Sequence, residues 1–254
     1  MQVKARTFSG VVCEQIVYMT SNKCKDPARA KLRPRFATDE DRAKHRNEIA
    51  RKRHARLFNA TFDPSAYYVT LTCDDEHELY NYKDAKAVLD RYLRRLMYAY
   101  PDAVIFAYKG RGRSTERIHF HMVCKGIPRE AIAEKWECGR VTRIKRLRDH
   151  CYYDGVDHGQ DYTGLANYLF NHWEPEQGGH RFAVRGKYTK PDTEDPVEVK
   201  RAYSEDKPPV PPKGYILVEK KSTPYGYLYF KYQLLRWIIL PRFSRSYDQK
   251  CRYC

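Results

Sequence analysis

The chain has 254 residues, 42% of them hydrophobic, with 48 Lys and Arg against 32 Asp and Glu and a formal net charge of +16. That length and apolar content suit one large domain, or a core domain with appendages, and the positive balance favours a polyanion, above all nucleic acid, over a small acidic substrate. A membrane span needs about eighteen consecutive apolar residues, and the best run, YLYFKYQLLRWIIL, is broken by Lys231, Gln233 and Arg236.

The first residues, MQVKARTFSG, lack the apolar core of an export signal. The eight Cys are scattered without a disulfide pattern, which suits reduced thiols in a cytoplasm. Cys251 and Cys254 form half of a zinc knuckle with no second pair at matching spacing, and are expected to be a loose tail.

In chain order, residues 29–56 carry eleven Lys and Arg against four acids and look like a DNA-facing arm. Thr38 followed by Asp39, Glu40 and Asp41 is an N-cap and acidic first turn, so the second half is expected to be a helix. SAYYVTLTC alternates as a strand, with Tyr67, Val69, Leu71 and Cys73 on one face and Tyr68, Thr70 and Thr72 on the other. KDAKAVLDRYLRRLMYAY spaces Val88, Leu89, Tyr92, Leu96 and Tyr100 as an amphipathic helix closed by Pro101. AVIFAY (103–108) and RIHFHMVC (117–124) are strands joined by KGRGRSTE, an exposed loop that carries Arg111 and Arg113. A short helix over PREAIAEKW and a basic strand, GRVTRIKRL, follow. Strand, helix, strand, strand, helix, strand is the ferredoxin-like plan, an antiparallel sheet with helices on one face and the other face open.

Within RIHFHMV, alternation puts Ile118, Phe120 and Met122 on one face and His119, His121 and Val123 on the other. Two imidazoles on one side of a strand can share a divalent cation. With nine His in the chain, chance alone supplies about 0.3 such pairs, so this pair by itself carries little weight. Its place matters more: with the apolar set under the helices, the histidines emerge on the open face beside Tyr68, Thr70 and Thr72.

GQDYTGLANYLFNHWEPEQGG is expected to be a helix, capped by Asp161 or Thr163 and stopped by Pro175 and the Gly178-Gly179 pair. Leu165, Leu169 and Trp173 form its packing stripe, and Tyr168 and His172, four apart, meet on an adjacent face. The C-terminal section begins with a Pro-rich, charged connector, and GYILVEKKSTPYGYLYFKYQLL then reads as two strands about a Pro-Tyr-Gly turn, either an extra hairpin on the sheet edge or an origin-recognition element.

YYVTLT, then HFH, then a Tyr in a downstream helix, ANYLFNHW, resemble in order and spacing the three motifs of HUH endonucleases, the replication initiator (Rep) proteins of rolling-circle plasmids and phages. The flanking text, GRGRSTERIHFHMV and YYDGVDHGQDYTGLANYLFNHW, is most similar to the replication-associated proteins of bacterial mobile elements. The resemblance implies an α+β fold in three parts: a basic N-terminal arm and helix (1–65), the endonuclease core (66–175), and a connector with a small β extension (176–254). It implies that His119 and His121 hold Mg²⁺ or Mn²⁺ and that Tyr168 attacks a single strand at an origin, leaving a 5′-phosphotyrosine and a free 3′-OH. It makes His172 the preferred third ligand. Tyr68, Thr70, Thr72, Arg111, Arg113 and Lys187 are the expected DNA contacts. No GxxxxGK[ST] occurs in the chain, so a separate helicase is the expected partner.

This sequence departs from the family pattern in two places. A Lys is common three residues after the Tyr, where Asn171 stands here, so Lys187 or His172 would have to substitute. A carboxylate common on the strand before the HxH is replaced by the AYKG of 107–110, and Glu116 would point to the wrong face. Tyr162 is a rival nucleophile, six residues from Tyr168 and so on a different side of a regular helix. The alternative readings are a relaxase or transposase-type nickase and a non-catalytic single-strand nucleic-acid-binding protein.

Overall fold

In the computed structural model the described residues are 1–20, 38–77, 79, 81–112, 117–153, 156–172, 180–223 and 226–235. In chain order the elements are β1 (Gln2–Ser9), β2 (Val12–Met19), α1 (Asp39–Thr61), β3 (Tyr67–Cys73), α2 (Tyr82–Ala99), β4 (Val104–Arg111), β5 (Ile118–Lys125), α3 (Arg129–Glu134), β6 (Gly139–Arg146), β7 (Tyr152–Tyr153), β8 (Val156–Asp157), α4 (Thr163–Asn171), β9 (Phe182–Arg185), β10 (Asp192–Thr193), β11 (Val197–Glu198), β12 (Tyr215–Ser222) and β13 (Tyr227–Leu234). The architecture is α+β, with every strand pair antiparallel.

A five-stranded sheet has the order β6-β3-β5-β4-β9, so β3 and β5 are interior. One face follows the alternation expected of it. Val69, Leu71, Ile118, Phe120 and Met122 are buried with Leu89, Tyr92, Leu93 and Leu96 of α2 and Ile132 of α3. Asn81 caps α2, its side chain accepting from the Asp84 N–H, and Tyr92 Oη donates to the Ile132 carbonyl at 2.8 Å, which joins the two helices.

The opposite face differs from expectation in being only half open. Phe106 and Tyr108 of β4 and Val123 of β5 project there and need cover. α1 and α4 supply it with Ala55, Phe58, Ala166 and Leu169, joined by Phe62, all of them buried. α1 begins as the caps foretell, Thr38 accepting from the Asp41 N–H at 3.0 Å. Its last turns, however, are a roof over the sheet rather than a free arm; residues 29–37 of the expected arm lie outside the described residues.

The N-terminal residues before it form a hairpin that alternation did not single out. β1 and β2 pair with each other, β2 pairs with β13, and β12, β10 and β11 complete a second sheet. The C-terminal hairpin, expected on the edge of the first sheet or as a separate element, thus joins the N-terminal strands. Cys13, Val17, Phe230 and Tyr232 are its buried centre. Gly10, at φ +60°, turns β1 into β2 against α1, where a Cβ would stand 2.4 Å from the Asn59 carbonyl oxygen, so only glycine fits. Lys231 on β13 pairs with the buried Asp161, which fixes the second sheet to the start of α4. Among the described residues no helix is long and apolar enough to cross a membrane.

Candidate metal centre and its adjoining tyrosine

His119 and His121 lie on β5, Gly110 faces His119 across the β4–β5 ladder, and Thr70 faces His121 across the β3–β5 ladder. α4 delivers the remaining parts. Asp161 Oδ1 accepts from the Thr163 N–H at 3.0 Å and Asn59 Oδ1 from the Tyr162 N–H at 2.9 Å, so the helix starts at a defined point. Asp161 thus works at the entrance to the helix as expected, whereas Thr163 is its first residue and Tyr162 its N-cap. Nine residues on, His172 closes α4, one turn beyond Tyr168.

Three imidazoles converge. His172 Nε2 lies 2.9 Å from His119 Nε2 and 3.1 Å from His121 Nε2, and the potential ligand atoms of all three lie within 4.8 Å of one another. Nitrogens bound to one ion at about 2.1 Å lie roughly 3 Å apart, so this spacing suits a shared divalent cation. The group could hold a metal ion.

Electrostatics favours the ligand form. Burial, with His172, His119 and Arg143 nearby, pushes the His121 pKa down to about 3. Burial also lowers His119, opposed by a backbone hydrogen bond with Arg117. Both rings are therefore neutral at pH 7, as metal ligation requires. Tyr68 Oη lies 2.8 Å from His121 Nδ1, with Thr70 Oγ1 at 3.3 Å, and the Tyr68 and His121 rings stack at 13°. With Nδ1–H donating to these oxygens, Nε2 keeps its lone pair for the shared point. Tyr68 and Thr70, expected as DNA contacts, are found here orienting the His121 ring.

Gly110 answers the question of the missing carboxylate. A Cβ there would meet His172 Cδ2 at 2.4 Å, His172 Nε2 at 2.5 Å and His119 Nε2 at 2.7 Å. The space a carboxylate side chain would need is filled by the third imidazole.

Tyr168 stands beside the group, 45% exposed, its ring 5.1 Å from that of His172 and 6.1 Å from that of His121. The rival, Tyr162, is buried, and its hydroxyl donates to the Arg148 carbonyl at 2.8 Å. Burial raises its pKa. It packs in the roof against Phe58.

The other expected contacts separate. Thr72 lies along β3 from Thr70, donating to the Arg140 carbonyl at 3.1 Å. Arg111, exposed, ends β4 one residue past Gly110. Arg113, Glu116 and Trp173 lie outside the described residues. Lys187, the expected cation for Tyr168, follows the end of β4 remote from Gly110: Ile105 pairs with Arg185, and Gly186 abuts the Ala103 carbonyl. Seven residue steps separate Ala103 from Gly110, roughly 20 Å. The cation that influences both His121 and Tyr68 is Arg143 of β6, which strand alternation did not single out.

Comparison with protein-family models, with curated proteins and with solved structures finds no match for this chain.

Proposed function

We propose that this protein is a metal-dependent single-strand DNA nickase and strand transferase of the rolling-circle initiator type. The observation that carries the proposal is the convergence of His119, His121 and His172 beside the half-exposed Tyr168. The strand order β6-β3-β5-β4, with α2 and α3 on one face, supports a ferredoxin-like core of the HUH kind. The net charge of +16 agrees with a polyanionic substrate.

The three histidines would hold Mn²⁺ or Mg²⁺, nitrogen donors favouring the former, and the bound ion would act as a Lewis acid on a phosphate oxygen. Tyr168 Oη attacks the phosphorus, the bond to the 3′ oxygen breaks, and the phenolic proton leaves while that oxygen gains one. The products are a 5′-phosphotyrosine and a free 3′-OH, and because one ester replaces another the strand can be rejoined. Tyr68 and Thr70 keep His121 oriented, and Gly110 leaves room for His172.

To test this, the protein is incubated with Mn²⁺ and 5′- or 3′-labelled single-stranded oligonucleotides of randomised sequence, then run on a denaturing gel. The expected product is a covalent adduct carrying the DNA 3′ of the nick, lost with EDTA and in Tyr168→Phe. No adduct from the wild type, or an adduct surviving Tyr168→Phe, overturns the proposal.

A further inference from the structure

The edge strand β6 departs from regular alternation in one place. Thr70 pairs with Arg143 and Leu71 with Val141, so Thr142 is an extra residue, a bulge whose hydroxyl donates to the Thr70 carbonyl at 3.3 Å. The bulge has a definite effect on the side chains. It lets Val141 and Ile144, three apart, both pack on the helix-covered core. By the same shift Arg140, Arg143 and Lys145 pair with Thr72, Thr70 and Tyr68 and share their face. Without it, Arg140 and Arg143 would point to opposite sides.

Two cross-strand rows show where these cations stand. One runs Phe182, Tyr108, His121, Thr70, Arg143 and the next Val184, Phe106, Val123, Tyr68, Lys145. Both pass from rings and aliphatics under the roof, through hydroxyls, to a positive charge at the open edge. Successive cations are about 6.7 Å apart along the strand, comparable to successive phosphates in an extended single strand. Arg140 and Lys145 are exposed and Arg143 half-buried, and among the described residues no carboxylate pairs with any of them. The strip from β5 to β6 is two strand spacings wide, about 10 Å, too narrow for a duplex lying along it.

We propose that Arg140, Arg143 and Lys145 form the backbone track for single-stranded DNA, with Arg143, in the row of His121, nearest the reacting phosphate and the other two holding its neighbours. The proposal deepens the nickase reading above and rests on it for the identity of the polyanion. It differs from the ordinary use of charge on an edge strand, which only discourages sheet-to-sheet association.

The test is binding of a fluorescent single-stranded oligonucleotide by the full chain without metal, in the Tyr168→Phe background, as a function of salt. Each phosphate contact contributes about 0.7 to the slope of log affinity against log salt, so Arg140→Ala/Arg143→Ala/Lys145→Ala should lower the slope by about 2. Replacing both arginines by Lys should restore it. The matched variant Lys207→Ala/Lys213→Ala/Lys220→Ala, which removes three exposed charges near or on β12, should leave it unchanged. Equal losses in the two triple variants, or an equal loss on duplex DNA, overturn the track. The adduct gel reports separately: wild-type adduct with an unaltered slope condemns the track alone, and a lowered slope with no adduct condemns the nickase reading alone.

Discussion

The outer face of the five-stranded sheet has two halves that use the same strands for opposite purposes. On β4 and β5, Phe106, Tyr108 and Val123 lie under α1 and α4, while Gly110, His119 and His121 lie one or two steps further along, where the three histidines that could hold a metal ion converge. The two halves meet within the core of the sheet. His54 of α1 contacts Tyr108 Oη at 2.7 Å from the roofed side, and Tyr108 pairs with His121. The roofed half is closely packed and anchors the strands from which the side chains of the other half are held at defined distances.

Stability and metal binding should therefore respond separately to substitution in the two halves. The largest effect is expected from Phe106→Ala. Phe106 is fully buried among Phe58, Phe62 and Phe182, so the truncation should cost about 3–5 kcal/mol in urea unfolding. His119→Ala should leave the unfolding midpoint nearly unchanged while abolishing Mn²⁺ binding. Equal destabilisation by both substitutions would refute the division.

Next in size is a pH effect from the roofed half. Burial lowers the His54 pKa from 6.5 to about 4. Because the folded-state value lies below the unfolded one, the unfolded chain takes the proton first. The stability linked to this group is complete above about pH 6.5 and is lost as pH falls toward 4, by about 3 kcal/mol in all. Urea midpoints between pH 7.5 and 4.5 should fall accordingly, and a His54→Gln variant should show a shallower decline.

Gly110→Ala tests the boundary itself. The added Cβ displaces His172 or His119, so Mn²⁺ affinity by calorimetry should drop on the order of 100-fold, as when a supporting or ligating group is lost. An unchanged affinity would show that His172 is not a ligand. The smallest effect is expected from Tyr68→Phe, which removes the oxygen 2.8 Å from His121 Nδ1 and leaves the stacked ring: about a 10-fold loss of metal affinity with little change in stability.

The inner face of this sheet was readable because alternation in β3 and β5 and helical spacing in α2 agree, and their apolar sets lie on the buried side expected of them. The pairing of Tyr168 with His172 was readable for the same reason, four residues being one helical turn. β9 was not, since FAVR is four residues long and becomes a strand only by borrowing the edge of β4. β1 and β2 were missed although they form a local hairpin, because the sheet that buries them is completed from far along the chain: β2 pairs with β13, more than two hundred residues away, and β1 with β10 and β11. The facing of Arg143 escaped notice because a bulge breaks the periodicity on which such expectations depend.

By itself, then, the amino-acid sequence determined the elements with clear periodicity, such as β3, α2 and β5, and the types of donor available, because periodicity and side-chain chemistry are properties of neighbours along the chain. Only the tertiary structure decided that a glycine stands where a third imidazole must enter, that a tyrosine and a threonine hold His121, that Tyr162 is sealed in while Tyr168 is open, and that three cations share the face of the site. Those outcomes depend on strand register and on helices packed across a sheet. They are distances between residues far apart in sequence, which no local pattern encodes.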